Sequence, residues 1–394
     1  MEFTRPPSSW IRNKEVKKKS ATFPELFFDL VFVFALIQLS HTLAEDFSST
    51  MAAESVLLIL AIWWVWIYTA WTTNLLDTER EPVRMMLFAL MFLGVLIALA
   101  LPDAFGEHGM AFAVTYSGMQ IGRSLFTLYA FRGVDRASYL TFCRITLWLT
   151  LSCLFWIAGG LADVPVRAGL WAVALLIEYV SPAVGYFIPG LGRSPRETLN
   201  VSAEHMAERA GLFVIICLGE TILATGRNAS EHMTLDLTFL VFCSAFASTI
   251  AMWWIYFHHG HKKAAYQAEA TSAPESVALN LFTYAHLPIV AGIILTAVGE
   301  EFSLGHANEA SSFKHAIAIL GGPVLFLLGN LWVKLAASRA LPLSHFGGIA
   351  LIAASALLVP VVPNYVITLI ATGGLLMTAA WEYIALERAS TSTA

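Results

Sequence analysis

Apolar runs bounded by charges or turn residues set the rhythm of this chain, and many of them exceed about 18 residues, the length at which a helix crosses a bilayer. Twelve segments are predicted on that basis: 23–44, 54–75, 83–102, 110–131, 139–161, 167–188, 203–226, 236–258, 277–299, 314–336, 345–362 and 364–386. The last two share one uncharged tract. Ala340 to Trp381 is too long for a single crossing, and PVVPN at 360–364 supplies the break between two shorter helices. The pattern predicts an all-α fold, a polytopic membrane helix bundle of about 12 transmembrane helices.

Laying the first three segments beside the seventh to ninth exposes an internal repeat. ELFFDLVFVFALIQLSHTL aligns with ERAGLFVIICLGETILATG, which sets Gln38 near Glu220; WWVWIY at 63–68 echoes MWWIYF at 252–257; LALPDAFGEHG echoes LTAVGEEFSLGH. The expected division is a basic cytoplasmic segment 1–22, a first six-helix repeat 23–190, a cytoplasmic linker 191–202, a second six-helix repeat 203–388 and a tail 389–394. Six helices per half is an even number, so two parallel repeats are expected, related by an axis along the membrane normal, with a pathway at their interface.

Composition agrees: 57% of residues are hydrophobic and only 13% charged, with a mean hydropathy of +0.68. The net charge of -5 and the absence of zinc-finger or helix-turn-helix spacing argue against nucleic acid as a partner. Cys143, Cys153, Cys217 and Cys243 all fall in apolar segments without C-x-x-C spacing and read as packing residues. Loop charges set orientation. Arg5, Arg12, Lys14, Lys17 to Lys19, Arg132, Arg136, Arg193, Arg196, Lys262, Lys263, Lys334 and Arg339 fall on one side, which should be the cytoplasm, giving an N-in, C-in protein of the cell inner membrane. The opposite loops, EDFSSTMAAE, LPDAFGEHG and GEEFSLGHANE, are acidic or neutral, and the first apolar segment, with no small-residue cleavage site after it, is expected to be retained.

Charges within the apolar runs are the candidate chemistry. Thr22 and Glu25 make a T-x-x-E capping box at a helix start. Asp29 lies seven residues after Thr22, roughly 10 Å into the helix at about 1.5 Å per residue. A carboxylate facing hydrocarbon there would cost of order 2.5 kcal/mol or more, so an ion pair or a hydrated cavity is required. Arg123, in YSGMQIGRSLF, is the first expected partner of Asp29. Glu178 precedes Pro182 by four residues, so its carbonyl loses a helical hydrogen bond; cation coordination, a gating kink and an ordinary proline kink all fit. In the seventh helix Ser202 and Glu204 suit a helix start, while His205, Arg209, Ile216 and Glu220 share one stripe. Glu25, Asp29, Glu178 and Glu208 against Arg123 and Arg209 leave an acidic excess that would attract cations or protons. His286, beside Pro288, suits either a core histidine or a proton relay. HHGH at 258–261 lies at a helix end beside two lysines and is not expected to bind metal. No nucleophile elbow, P-loop, HExxH or nucleotide fingerprint occurs, so neither an enzyme nor a cofactor is expected.

The opening ELFFDLVFVFALIQLSHTL, the LLDTEREPVR turn, the segment GLGRSPRETLNVSAEHMAERAGLFVIICLGETILATG and YAHLPIVAGIILTAVGEE together resemble the bacterial low-temperature-requirement A (LtrA) family over nearly the whole chain. Glu25 and Asp29 carry its E-L-F-F-D-L-V-F opening, and His205, Glu208, Arg209 and Glu220 its H-x-x-E-R-x-G-L-F-x-I-I-x-L-G-E segment. The resemblance implies a polytopic inner-membrane protein linked by name to growth in the cold, and a phenotype names no substrate. FFDLVFVFA is also similar to the Phe-Ser-Asp opening of the lysosomal potassium and proton channel family, with Phe28 in place of the serine. The major-facilitator G-x-x-x-D-R-x-G-R-R loop is absent. The expected function is a secondary transporter or permease for a small ion or solute; the alternatives are a cation or proton channel and a structural or regulatory membrane protein of cold adaptation. The lipid bilayer is the expected partner, and a homodimer is left open.

Overall fold

The computed structural model describes residues 7–12, 20–195, 202–232, 237–258, 277–338 and 342–391. Among them are no strands and twelve long helices: α1 Phe23–Glu45, α2 Ser49–Leu75, α3 Glu81–Ala100, α4 Gly109–Phe131, α5 Arg136–Leu161, α6 Val164–Ala183, α7 Ala203–His232, α8 Leu237–Phe257, α9 Leu279–Gly305, α10 Phe313–Ser338, α11 Leu343–Leu358 and α12 Asn364–Thr391. All but α4 and α11 are long and apolar enough to cross a membrane. At 23 residues α4 has the length, but its buried face carries Tyr116, Ser117, Gln120, Arg123, Ser124 and Thr127. The break expected at PVVPN separates α11 from α12.

The helix ends follow local chemistry. Ser48 caps α2 by accepting from the Met51 N–H at 3.2 Å, and Asp135 caps α5 by accepting from the Ala137 N–H at 3.0 Å. The expected sixth span to 188 is too long. Helix α6 stops at Ala183, because Pro182 occupies its last turn and Gly185 and Tyr186 follow at φ 64 and 50. Pro182 therefore terminates α6 and does not kink it. At the far end of α9 the correction runs the other way: the helix continues to Gly305, so Glu300, read from the sequence as loop, is helical and buried.

Helix α1 answers why an oily segment carries two carboxylates. Phe23, Phe27, Leu30 and Phe34 form its exposed stripe, while Glu25, Phe28, Asp29 and Phe32 are 0–1% exposed. Apolar side chains face outward and charged ones inward, the arrangement a helix adopts when its solvent is hydrocarbon.

Two compact units divide the described chain. One runs to Thr42 and then from Ser48 to Arg209; the other takes Leu43–Phe47 and everything from Ala210. The first holds α1 as far as Thr42, α2 to α6 and the first two turns of α7. Its amino-terminal strap is docked: Trp10 stacks on Phe126 with centroids 5.5 Å apart, the Asp77 N–H donates to the Trp10 carbonyl at 2.8 Å and the Arg12 N–H to the Leu75 carbonyl at 2.9 Å. The second unit holds the rest of α7 and α8 to α12. Its tightest seam joins α9 to α10, where a Cβ added to Gly299 would lie 2.7 Å from the Ile319 Cα. Small residues at such a seam let two backbones approach, which drives helix association in lipid. The echoed aromatic motifs lie in α2 and α8 but differ in burial. Trp63, Trp64 and Trp66 are buried, whereas Trp253 and Trp254 are 45% and 36% exposed.

Candidate functional site

Four ionisable side chains of the first unit meet in one place: Glu25 and Asp29 from α1, His205 and Arg209 from α7, each at most 1% exposed. Glu25 and Asp29 lie one turn apart, as do His205 and Arg209, so each pair projects from a single helix face. Arg209 grips Asp29 with two prongs, Nη2 donating to Oδ1 at 2.5 Å and Nε to Oδ2 at 3.1 Å. Its remaining nitrogen donates to Thr73 Oγ1 of α2 at 3.0 Å and lies 3.2 Å from Glu25 Oε1. Trp66 Nε1 donates to Asp29 Oδ1 at 2.7 Å. Asp29 therefore pairs with Arg209, not with Arg123 as expected from depth along the chain.

Glu25 does cap α1, its Oε2 accepting from the Thr22 N–H at 2.8 Å and from Thr22 Oγ1 at 2.9 Å. Its other oxygen faces three basic groups, 3.2 Å from both Arg209 and His205 and 3.6 Å from Arg12. Cap and ion pair are the same residue, and His205 Nε2 also reaches the capping oxygen Oε2 at 3.3 Å. The His205 tautomer follows from its neighbours. The Ser202 N–H donates to Asn74 Oδ1 at 3.1 Å, which orients that amide so that Nδ2 points at His205 Nδ1, 3.3 Å away. With that amide orientation Nδ1 accepts and the ring proton is assigned to Nε2, facing Glu25, which makes the 3.4 Å approach of Arg12 Nη2 to Nε2 a contact without a hydrogen bond. Two carboxylates and two guanidinium groups balance each other, with Asn74, Thr73 and Trp66 supplying the remaining hydrogen bonds. These contacts bind the first two turns of α7 to α1 and α2, which is why the first unit extends to Arg209.

Glu178 anchors a second network. Its Oε1 accepts from Ser152 Oγ at 2.5 Å and Trp156 Nε1 at 2.9 Å, and its Oε2 from Tyr116 Oη at 2.7 Å and Gln120 Nε2 at 3.0 Å. Four donors fill the lone-pair sites of one carboxylate. The carbonyl that Pro182 leaves free is taken by Ser181 Oγ at 2.8 Å. Cation coordination by Glu178 with that carbonyl is thereby corrected, since both are already occupied by protein donors. Arg123 joins the network through the side-chain oxygen of Gln120, and also donates to the Val65 carbonyl at 3.1 Å and Thr69 Oγ1 at 3.0 Å.

The remaining candidates lie apart. Glu208 is half-buried on α7 outside the cluster, and Gln38 is half-buried on α1, its carbonyl accepting from Thr42 Oγ1 at 2.9 Å. In the second unit, Glu220 lies on α7 and is 5% exposed, and His286 lies on α9, held between Tyr256 Oη at 2.9 Å and the Leu281 carbonyl at 2.7 Å. Among the described residues no group of three or more His, Cys, Asp or Glu is placed to hold a metal ion. His259 to His261, Lys14, Lys17 to Lys19, Arg196, Lys262, Lys263 and Arg339 lie outside the described residues. Arg12, read as a loop charge, and Trp66, Asn74, Gln120, Ser152, Trp156 and Glu300 were not foreseen as site residues. Of these, Trp66 lies in the aromatic echo and Glu300 in the echoed LTAVGEEFSLGH.

Residues 20–380 match the family described as bacterial low temperature requirement A protein, a span that includes both networks except Arg12. The chain belongs to the LtrA family. It is 55% identical over 385 residues, 98% of this chain and 94% of its counterpart, to an uncharacterized protein of Rhizobium meliloti (strain 1021). No solved structure matches this LtrA protein. Family and fold together make it a multi-pass integral membrane protein.

Proposed function

We propose that this LtrA protein is a secondary transporter of the cell inner membrane, oriented N-in and C-in, which moves a small ion or solute without altering it chemically. One observation carries the reading: Glu25, Asp29, His205 and Arg209 are gathered, fully buried, where helices of membrane-spanning length meet. Ionisable groups at membrane depth are expensive, and those that persist there mark ion and substrate pathways or relays by default. The two-pronged Asp29–Arg209 bond has two discrete states, made and broken, and it governs whether the start of α7 is clamped to α1 and α2. A cargo that adds or removes charge at Glu25 or Asp29 shifts that balance.

The test is flux into proteoliposomes of purified protein under imposed potassium, sodium and pH gradients. Saturable, coupled movement supports the transporter; passive downhill conductance favours the channel. A structural role for the buried charges has its own observation, the donor-saturated carboxylate of Glu178. That role prevails if no gradient drives flux and charge-neutral substitutions impair only assembly.

A further inference from the structure

The second unit holds a buried carboxylate of a different kind. Glu300 of α9 is 5% exposed, and no ion pair to it occurs among the described residues. Its Oε2 accepts from Thr225 Oγ1 at 3.0 Å, while its Oε1 is buried without a hydrogen-bond donor. Glu300 lines a cavity of about 10 Å³, room for one water or one bare monovalent cation. Ser248 of α8, Thr296 of α9 and Thr368 and Thr372 of α12 share its wall.

The hydroxyl hydrogens are committed elsewhere. Thr296 Oγ1 donates to the Gly292 carbonyl at 2.8 Å, the Thr368 hydrogen is held between the Asn364 carbonyl at 3.1 Å and Ser303 Oγ at 2.6 Å, and Thr225 Oγ1 shares its one hydrogen between the Thr221 carbonyl at 2.6 Å and Glu300 at 3.0 Å. What Thr296 and Thr368 have left to offer the cavity is lone pairs. Ile319 and Pro323 of α10 line it too, and Pro323 has no N–H to give the Ile319 carbonyl. A carboxylate oxygen without a donor and hydroxyls whose hydrogens are already engaged give the cavity an oxygen-rich wall that attracts positive charge. Hard oxygen ligands of this kind suit alkali or alkaline-earth ions. A single carboxylate balances a single charge, and a divalent ion would leave one charge uncompensated in the membrane.

We propose that Glu300, with the hydroxyls of Ser248, Thr296, Thr368 and Thr372, forms a binding site for one dehydrated sodium-sized cation. The site deepens the transport reading by naming the class of ion, and rests on that reading only for what the ion is used for. Binding at equilibrium needs no flux, so the two fail separately. Purified protein in detergent is titrated with radioactive sodium, with lithium and potassium as competitors, alongside Glu300→Gln and Thr296→Val, whose folding is checked by gel filtration and helical circular dichroism. Saturable sodium binding is expected in the wild type, with competition by lithium but not potassium. It should be lost in Glu300→Gln and weakened at least about tenfold in Thr296→Val. A folded wild type without saturable sodium binding overturns the proposal, as does undiminished binding in Glu300→Gln. If Glu300→Gln fails to fold, Thr296→Val decides, and an unchanged affinity there overturns it. Sodium binding without liposome flux would overturn transport and leave this site standing.

Discussion

Replacing Arg209 by Met removes charge and donors together while keeping an unbranched side chain in the space. Asp29 would lose both prongs, at 2.5 and 3.1 Å, and keep only the Trp66 indole; Glu25 would lose one of three basic neighbours but keep His205 and Arg12. Stripping one partner from a buried pair costs about 3–5 kcal/mol, because the surviving charge stays buried without compensation. In a unit of this size each kcal/mol moves the melting temperature by about 2–4 °C, so a fall of roughly 6–20 °C is expected. Adding Asp29→Asn removes the stranded charge, and the amide oxygen it introduces still accepts from Trp66, so the double variant should melt well above Arg209→Met alone. The assay is thermal unfolding of purified protein in detergent, followed by tryptophan fluorescence and loss of the monodisperse gel-filtration peak. A single variant that melts with the wild type, or a double variant that melts no higher than the single one, would refute the assigned pairing.

Glu178→Gln turns one acceptor oxygen into a donor facing two others, and should cost about 1–3 kcal/mol per stranded donor, read by the same melt. Asn74→Ala removes the amide that fixes His205, so the nitrogen-15 signals of that ring, which should report a proton on Nε2 in the wild type, are expected to change, along with a loss of about 1–3 kcal/mol. Gly299→Val drives a side chain into the Ile319 backbone and should destabilise by about 1–3 kcal/mol or more, visible as a lower melting temperature.

Element existence was readable because hydrocarbon length and turn chemistry act locally: the twelve runs, the PVVPN break and the Thr22–Glu25 cap all need only neighbouring residues. The stripe of His205 and Arg209 was readable from helical spacing, as was the need of Asp29 for a partner. Which arginine it takes was not. Arg123 and Arg209 both sit at plausible depths, and the choice depends on the start of α7 packing against α1 and α2, a contact 180 residues apart in sequence. Gln120 and Ser152 gave no signal because isolated polar residues are common in membrane helices, and they acquire meaning only when neighbouring helices bring donors to Glu178. Glu300 was hidden by its neighbours: GEE near the end of an apolar run looks like a loop, and only the close α9–α10 seam carries the helix past it.

The buried clamp of α1 on α7 is the centre of the functional reading, and the Asp29→Asn/Arg209→Met double variant isolates it, since that variant removes the pair without stranding a charge. Ion and proton flux into proteoliposomes should be compared for wild type and double variant at matched reconstitution and confirmed folding. Transport through this clamp predicts flux in the wild type and its loss in the folded double variant. Equal flux in both would contradict it and return the pair to a role in helix packing alone.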